Sequence, residues 1–160
     1  MQPLEACRFG FGTLANIMSP AQEQFIRLRR FLARMEKRGA TDDDTDDLYS
    51  FFMHAWHLID WASNDQSIAR TYSQIVGEIP DSIKRCQDIA NRAKHLVLNR
   101  PLRPTPTILR RLRMFAGRDR PNEASFSITF PDRTTRDALD LARQVVEDWR
   151  TLLVRYGVSV

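Results

Sequence analysis

The chain has 160 residues, of which 42% are hydrophobic and 28% charged, the size and composition of one ordinary globular domain. No apolar run approaches the roughly 20 residues that cross a bilayer, no basic segment leading into an apolar stretch opens the chain as a secretory leader would, and two cysteines, Cys7 and Cys86, are too few for a disulfide framework. The expectation is a cytoplasmic protein with reduced thiols, no membrane contact and a single helical domain over residues 1–160.

Residues 1–18 show no period and read as an arm or loop. Ser19-Pro20-Ala21-Gln22 then opens a helix, with Ser19 as N-cap, Pro20 at the first helical position and Gln22 completing a capping box. Phe25, Leu28, Leu32 and Met35 form its apolar stripe, and Gly39 ends it. Arg27, Arg30, Arg34 and Lys37 make the opposite face basic. The acidic run Asp42 to Asp47 lacks the glycine turn and distal glutamate of a calcium loop. It suits the N-terminus of a second helix, where carboxylates meet the positive end of the macrodipole.

That second helix is expected from about Asp46 to Ser63. Leu48, Phe51, Phe52, Ala55, Ile59 and Ala62 share one face, and Met53, His57 and Trp61 lie roughly opposite, flanked by His54 and Asp60. A helix apolar or aromatic on two sides is buried within a bundle or covered by a partner, and a homodimer is the expected assembly. Ile68, Tyr72, Ile75 and Val76 suggest a short helix before Gly77 and Pro80. Asp81 or Ser82 caps the next, which runs to about Val97 on the stripe Ile83, Cys86, Ala90, Ala93 and Val97. Cys86 lies on that stripe and reads as inert packing.

Beyond the proline-stiffened connection Arg100 to Pro106, residues 108–115 fit either a helix or a strand. Phe126, Ile128 and Phe130 alternate with Ser125, Ser127 and Thr129 as a half-buried strand does. A strand needs a partner for its backbone groups, so a β-hairpin insertion is expected within 105–130. Asp132 or Thr134 starts the last helix, whose stripe is Ala138, Leu141, Ala142, Val145, Trp149, Leu152 and Tyr156. The expected fold is a mainly α, four-helix-type bundle with a small β-hairpin before the last helix.

Two features point toward function. All three histidines fall in two helical segments, His54-x-x-His57-x-x-Asp60-Trp61 and Asp88-x-x-Asn91-x-x-Lys94-His95. Asp88, Asn91 and His95 share one helix face, and His57 and Asp60 are neighbours at i, i+3. If the faces meet, three uses stand open. One is a metal-free acid–base site, with His95 as general acid or base, Asn91 or Lys94 orienting a phosphate and Asp88 beside them. A second is a metal site drawing on His54, His57 and Asp60 for a metal-dependent hydrolase. The third is a structural polar network in a non-enzymatic interaction protein.

The second feature is charge. The net charge of +4 divides into −3 over residues 1–80 and +7 over 81–160, and residues 84–120 carry 11 basic and 2 acidic side chains. Nearly all are arginine, whose planar fork suits phosphate. Arg100, Arg103, Arg110, Arg111, Arg113, Arg118 and Arg120 are the candidate nucleic-acid-binding residues, and RNA is the candidate partner. No cofactor is expected unless the histidines hold a metal.

His57-Leu58-Ile59-Asp60-Trp61 followed by Asp88-Ile89-Ala90-Asn91-Arg92-Ala93-Lys94-His95 resembles a group of uncharacterised bacterial proteins sharing H-L-x-D-W and D-x-x-N-x-x-K-H on two helices. More distantly, Asn91-Arg92-Ala93-Lys94-His95 resembles the Asn-x-x-x-His part of the motif of HEPN helical bundles. That resemblance implies an RNA-binding or ribonuclease-related role in a defence or toxin–antitoxin setting. The motif's arginine position is Ala90 here, and Arg92 and Arg85 are the nearby substitutes.

Overall fold

A computed structural model of the protein describes residues 18–37, 43–95, 106–113 and 123–160, with the side chains of 43, 93–95, 112–113 and 123–124 outside the description. Five helices and a small sheet follow one another as α1 (Pro20–Glu36), α2 (Asp43–Ser63), α3 (Tyr72–Glu78), α4 (Asp81–His95), β1 (Thr107–Arg113), β2 (Glu123–Thr129), β3 (Thr135–Asp137) and α5 (Ala138–Arg155). The protein is thus mainly helical, with bundle-like packing and an antiparallel sheet of order β1-β2-β3 before the last helix.

Local chemistry explains the boundaries. Ser19 caps α1 by accepting the Gln22 N–H at 3.3 Å, and Pro20 occupies the first turn, where its missing N–H costs nothing. A second cap reaches α1 from far along the chain: the Ala21 N–H donates to Asp65 Oδ2 at 3.1 Å. Asp65 is buried, and burial pushes its carboxyl up. Hydrogen bonds from the Ser67 and Ser19 side chains and from the Ser67 and Ala21 amides outweigh that and hold it below the usual range. Thr71 and Gln74 close a capping box on α3.

Several boundaries differ from the sequence expectation, and α3, for one, runs through Gly77 to Glu78. Helix α2 starts at Asp43 rather than Asp46, so more of the acidic run lies inside its first turn. Asp81 is the first residue of α4, not its cap. The last helix starts neither at Asp132 nor at Thr134 but at Ala138, where Asp137 accepts the Leu139 and Asp140 N–H groups at 2.9 and 3.1 Å. Asp132 instead serves the turn before it, accepting the Thr134 N–H at 2.9 Å, and residues 135–137 continue the sheet as β3. The hairpin is real, in the register Ile108 opposite Ile128 and Arg110 opposite Phe126.

One hydrophobic cluster joins the helices and β2. From α2 it takes Leu48, Phe51, Phe52, Ala55, Leu58, Ile59 and Ala62, which α1, α4 and α5 cover. The far side of α2 is not closed in this way: Met53 and His57 are half-buried and Trp61 is 37% exposed. Cys86 is fully buried, and burial pushes its thiol up, far from a reactive thiolate. At the centre, Trp149 of α5 is wholly buried, and its indole N–H donates to the Ala55 carbonyl of α2 at 3.0 Å.

Trp149→Ala is expected to cost about 3–5 kcal/mol, the usual loss for a buried large aromatic. Chemical denaturation measures it; a variant with unchanged unfolding midpoint would remove Trp149 from the centre of the core.

Candidate functional site

Two groups of polar side chains stand out on the described surface. The first lines an open cleft of about 420 Å³ between α2, the α3 end, α4 and the β2–β3 turn. Trp56 and Val76 face Lys84, Arg85 and Asp88 across it, and Phe130 and Asp132 close one side. Arg85 is held in place: it donates to Asp81 at 2.8 Å, to Thr134 at 2.9 Å and to Asp132 at 3.0 Å, with its guanidinium 4.4 Å from the Phe130 ring centre. Hydrogen bonds from the Thr134 hydroxyl and amide and from Arg85 hold the Asp132 carboxyl down at about 2. The lining carboxylates of Asp81, Asp88 and Asp132 outnumber Lys84 and Arg85, so the cleft itself has no excess of positive charge for a phosphate.

The second group lies where α1 crosses α2. Gln24 of α1 is only 2% exposed, and its Nε2 donates to His54 Nδ1 at 2.7 Å. His54 therefore accepts, which requires its neutral form with the proton on Nε2. Its ring stacks on Phe31 with centres 4.9 Å apart. Burial, then the charges of Arg27 and His57, lower its pKa from the ordinary 6.5. His57 Nδ1 meets Asp60 Oδ2 at 3.0 Å on an exposed face, and the Arg27 guanidinium lies 5.9 Å from the Trp61 ring centre.

The two segments that the sequence sets side by side thus have different partners. His54 turns to α1, His57 bonds Asp60 within α2, and Asp88 lines the cleft with Trp56. Asn91 is half-buried on α4. Helix α2 reaches α4 through Tyr49, whose hydroxyl accepts from Arg92 Nε at 3.3 Å; Arg92 also donates to the Pro106 carbonyl at the start of β1. Both candidate substitutes for the motif arginine, Arg85 and Arg92, are thus occupied in tertiary contacts. Lys94 and His95 belong to the last turn of α4, but their side chains lie outside the described residues, as does that of Arg113 in β1. Arg100, Arg103, Arg118 and Arg120, and residues 1–17 of the expected arm 1–18, lie outside them altogether. Among the described residues no group of three or more His, Cys, Asp or Glu side chains could hold a metal ion.

Gln24 and Asp65 are the polar residues that pattern reasoning misses. A faint signal exists for Gln24, which lies three residues after Ala21 and four before Leu28, in the register of the buried stripe. Nothing local marks Asp65, because its partner is 44 residues away.

The lowered pKa of His54 has a defined sign in stability. Folding favours its neutral form, so this contribution is complete above about pH 6.5 and is lost as pH falls from there through the lowered folded-state value. Wild type is expected to lose stability on that descent, and His54→Gln, which can still accept from Gln24, is expected to lose less. Denaturation curves at several pH values between 7.5 and 5 test this; equal slopes in the two proteins would contradict it. No protein-family model, curated protein or solved structure matches this chain.

Proposed function

We propose that this chain is an RNA-binding helical protein that contacts the phosphate backbone through the arginine-rich stretch around β1. The observation that carries this reading is the density of arginine over residues 100–120, within which β1 leaves Arg111 exposed. Elsewhere several arginines are tied to carboxylates, as Arg27 is to Glu23, Arg34 to Asp47, Arg70 to Glu78, Arg143 to Glu36 and Asp140, and Arg150 to Glu147, whereas the exposed Arg29 and Arg30 of α1 meet none among the described residues. Arg111 is exposed on β1, an outer strand of the sheet, and among the described residues no carboxylate bonds it. Arg110, one residue earlier, lies with its guanidinium 6.0 Å from the Phe126 ring centre. Arg100, Arg103, Arg113, Arg118 and Arg120 extend the same run in sequence. A dense run of arginine draws in a polyanion at long range and binds it by releasing counterions.

Binding is favoured over cleavage, because Ala90 stands where the motif has its arginine and the nearby Arg85 and Arg92 are drawn into tertiary contacts. Asn91, Lys94 and His95 remain the α4 residues nearest in sequence to this run. A second reading, a protein-interaction module without RNA, is favoured by the bonding of Gln24 to His54 and of Arg92 to Tyr49, which serve packing alone.

Fluorescence anisotropy of a labelled single-stranded RNA separates the two. Affinity is expected to fall with added salt, with a slope of roughly 0.7 per phosphate contacted. Replacing Arg110, Arg111 and Arg113 together by Ala is expected to flatten that slope by roughly 2 and leave the melting temperature within a few degrees. Absence of binding at low salt, or binding indifferent to the triple substitution, would defeat the RNA reading in favour of the protein-interaction module.

A further inference from the structure

We infer that the α1–α2 face carries a separate ribonucleotide site, in which the Trp61 indole stacks a base, the Arg27 guanidinium holds the phosphate and His57 Nε2 hydrogen-bonds a ribose hydroxyl. The inference rests on the RNA reading above for its ligand class but uses none of the β1 arginines.

Three observations meet on this face. Trp61 keeps 37% of its surface exposed at the end of α2, although burying an indole is normally favourable. An open indole is a stacking platform for any base, worth about 1–3 kcal/mol per base in single-strand binding. Beside it, Arg27 approaches within 5.9 Å of the ring centre, and its charge also reaches His54. Arg27 is thus near both the indole and His54. It already bonds Glu23, but both side chains are nearly half exposed, where such a pair adds little. A guanidinium has five N–H donors, so several remain for a phosphate.

The third observation is the His57–Asp60 pair. With Asp60 Oδ2 3.0 Å from Nδ1, the Nδ1–H donates to the carboxylate and Nε2 is the ring atom left to meet a ligand. A hydroxyl both donates and accepts and so complements Nε2, and the 2′-hydroxyl distinguishes RNA from DNA. His57 and Trp61 are four residues apart on one helix and so stand about 5–6 Å apart at their Cβ atoms, within the span of one nucleotide. The remaining charges nearby are accounted for. Glu23 is bonded to Arg27, Asp60 to His57, and Tyr72, whose phenol burial and the Asp60 charge push up, stays neutral. His54 is neutral and fixed by Gln24.

The test uses intrinsic tryptophan fluorescence with AMP, dAMP and adenosine as probes. AMP is expected to quench saturably in the millimolar range, and Trp61→Phe to lose most of the quench, whereas Trp56→Phe keeps it. Arg27→Ala is expected to weaken AMP severalfold and adenosine little. His57→Ala is expected to abolish a preference for AMP over dAMP. A quench that survives in Trp61→Phe, or no saturable quench in the wild type, overturns the site. The two proposals fail separately. RNA binding with no response at Trp61 removes this site and keeps the β1 contact. AMP binding at Trp61 with no retention of RNA removes the β1 contact and keeps this site.

Discussion

The indole of Trp149, laid against the backbone of α2, is the contact on which the rest of the packing depends. Its N–H must find a partner when buried, and leaving it without one would cost about 1–3 kcal/mol. The Ala55 carbonyl supplies the partner at 3.0 Å. The ring can come so close because Ala55 carries no side chain beyond a methyl group. Once α5 is set against α2 in this way, α1 and α4 take the flanks, with Phe25 and Leu28 on one side and Ile83, Cys86 and Ile89 on the other. Among the described residues, the side of α2 with Met53, His57 and Trp61 is not covered by a helix in this way.

Polar residues then divide by what they do for this arrangement. Ser82 of α4 bonds Asp148 of α5, Asp65 caps α1, and Arg92 joins α4 to Tyr49 and to the start of β1. These groups are consumed by architecture. The exposed ion pairs along the helices add little, since solvent screens them. Arg111 on the outer strand β1, and His57 and Trp61 on the α2 face, hold no helix to another in this way and keep solvent access. Both proposals are drawn from that remainder.

The elements with strong periodicity were legible before the structure. The stripe from Ala138 to Leu152 is buried along its length, Ser19 caps α1 with Pro20 in its first turn although the Gln22 side chain bonds the Ser159 carbonyl rather than closing a capping box, and the alternation at Phe126, Ile128 and Phe130 located β2. What pattern could not supply is contact at long range. The three-residue β3 has no alternation to detect, and it exists because β2 offers a second edge. The His/Asp/Asn constellation was legible as residues but not as neighbours. Helical spacing says which side chains share a face, whereas Gln24 as the partner of His54 depends on where α1 crosses α2. Likewise Arg92 looks like a free cation in sequence and becomes a tertiary staple only when Tyr49 and Pro106 are brought to it.

The β2–β3 turn shows how local and distant chemistry combine. It closes with the Phe130 N–H on the Thr134 carbonyl at 2.9 Å and forces Arg133, which is not glycine, to a φ of 66°. That conformation costs roughly 1–2 kcal/mol for a residue with a Cβ. Asp132 and Thr134 offset the cost, and both are gripped by Arg85 from α4. The turn is therefore expected to close firmly once α4 is in place. In folding time, β3 is then expected to be a late element, although β1 and β2 are adjacent in the chain and can pair earlier. Pulse-labelled hydrogen exchange reads this order directly: the amide of Arg133, bonded to Phe130 within the turn, should gain protection after the amides of α4, and the reverse order would show that the turn closes unaided.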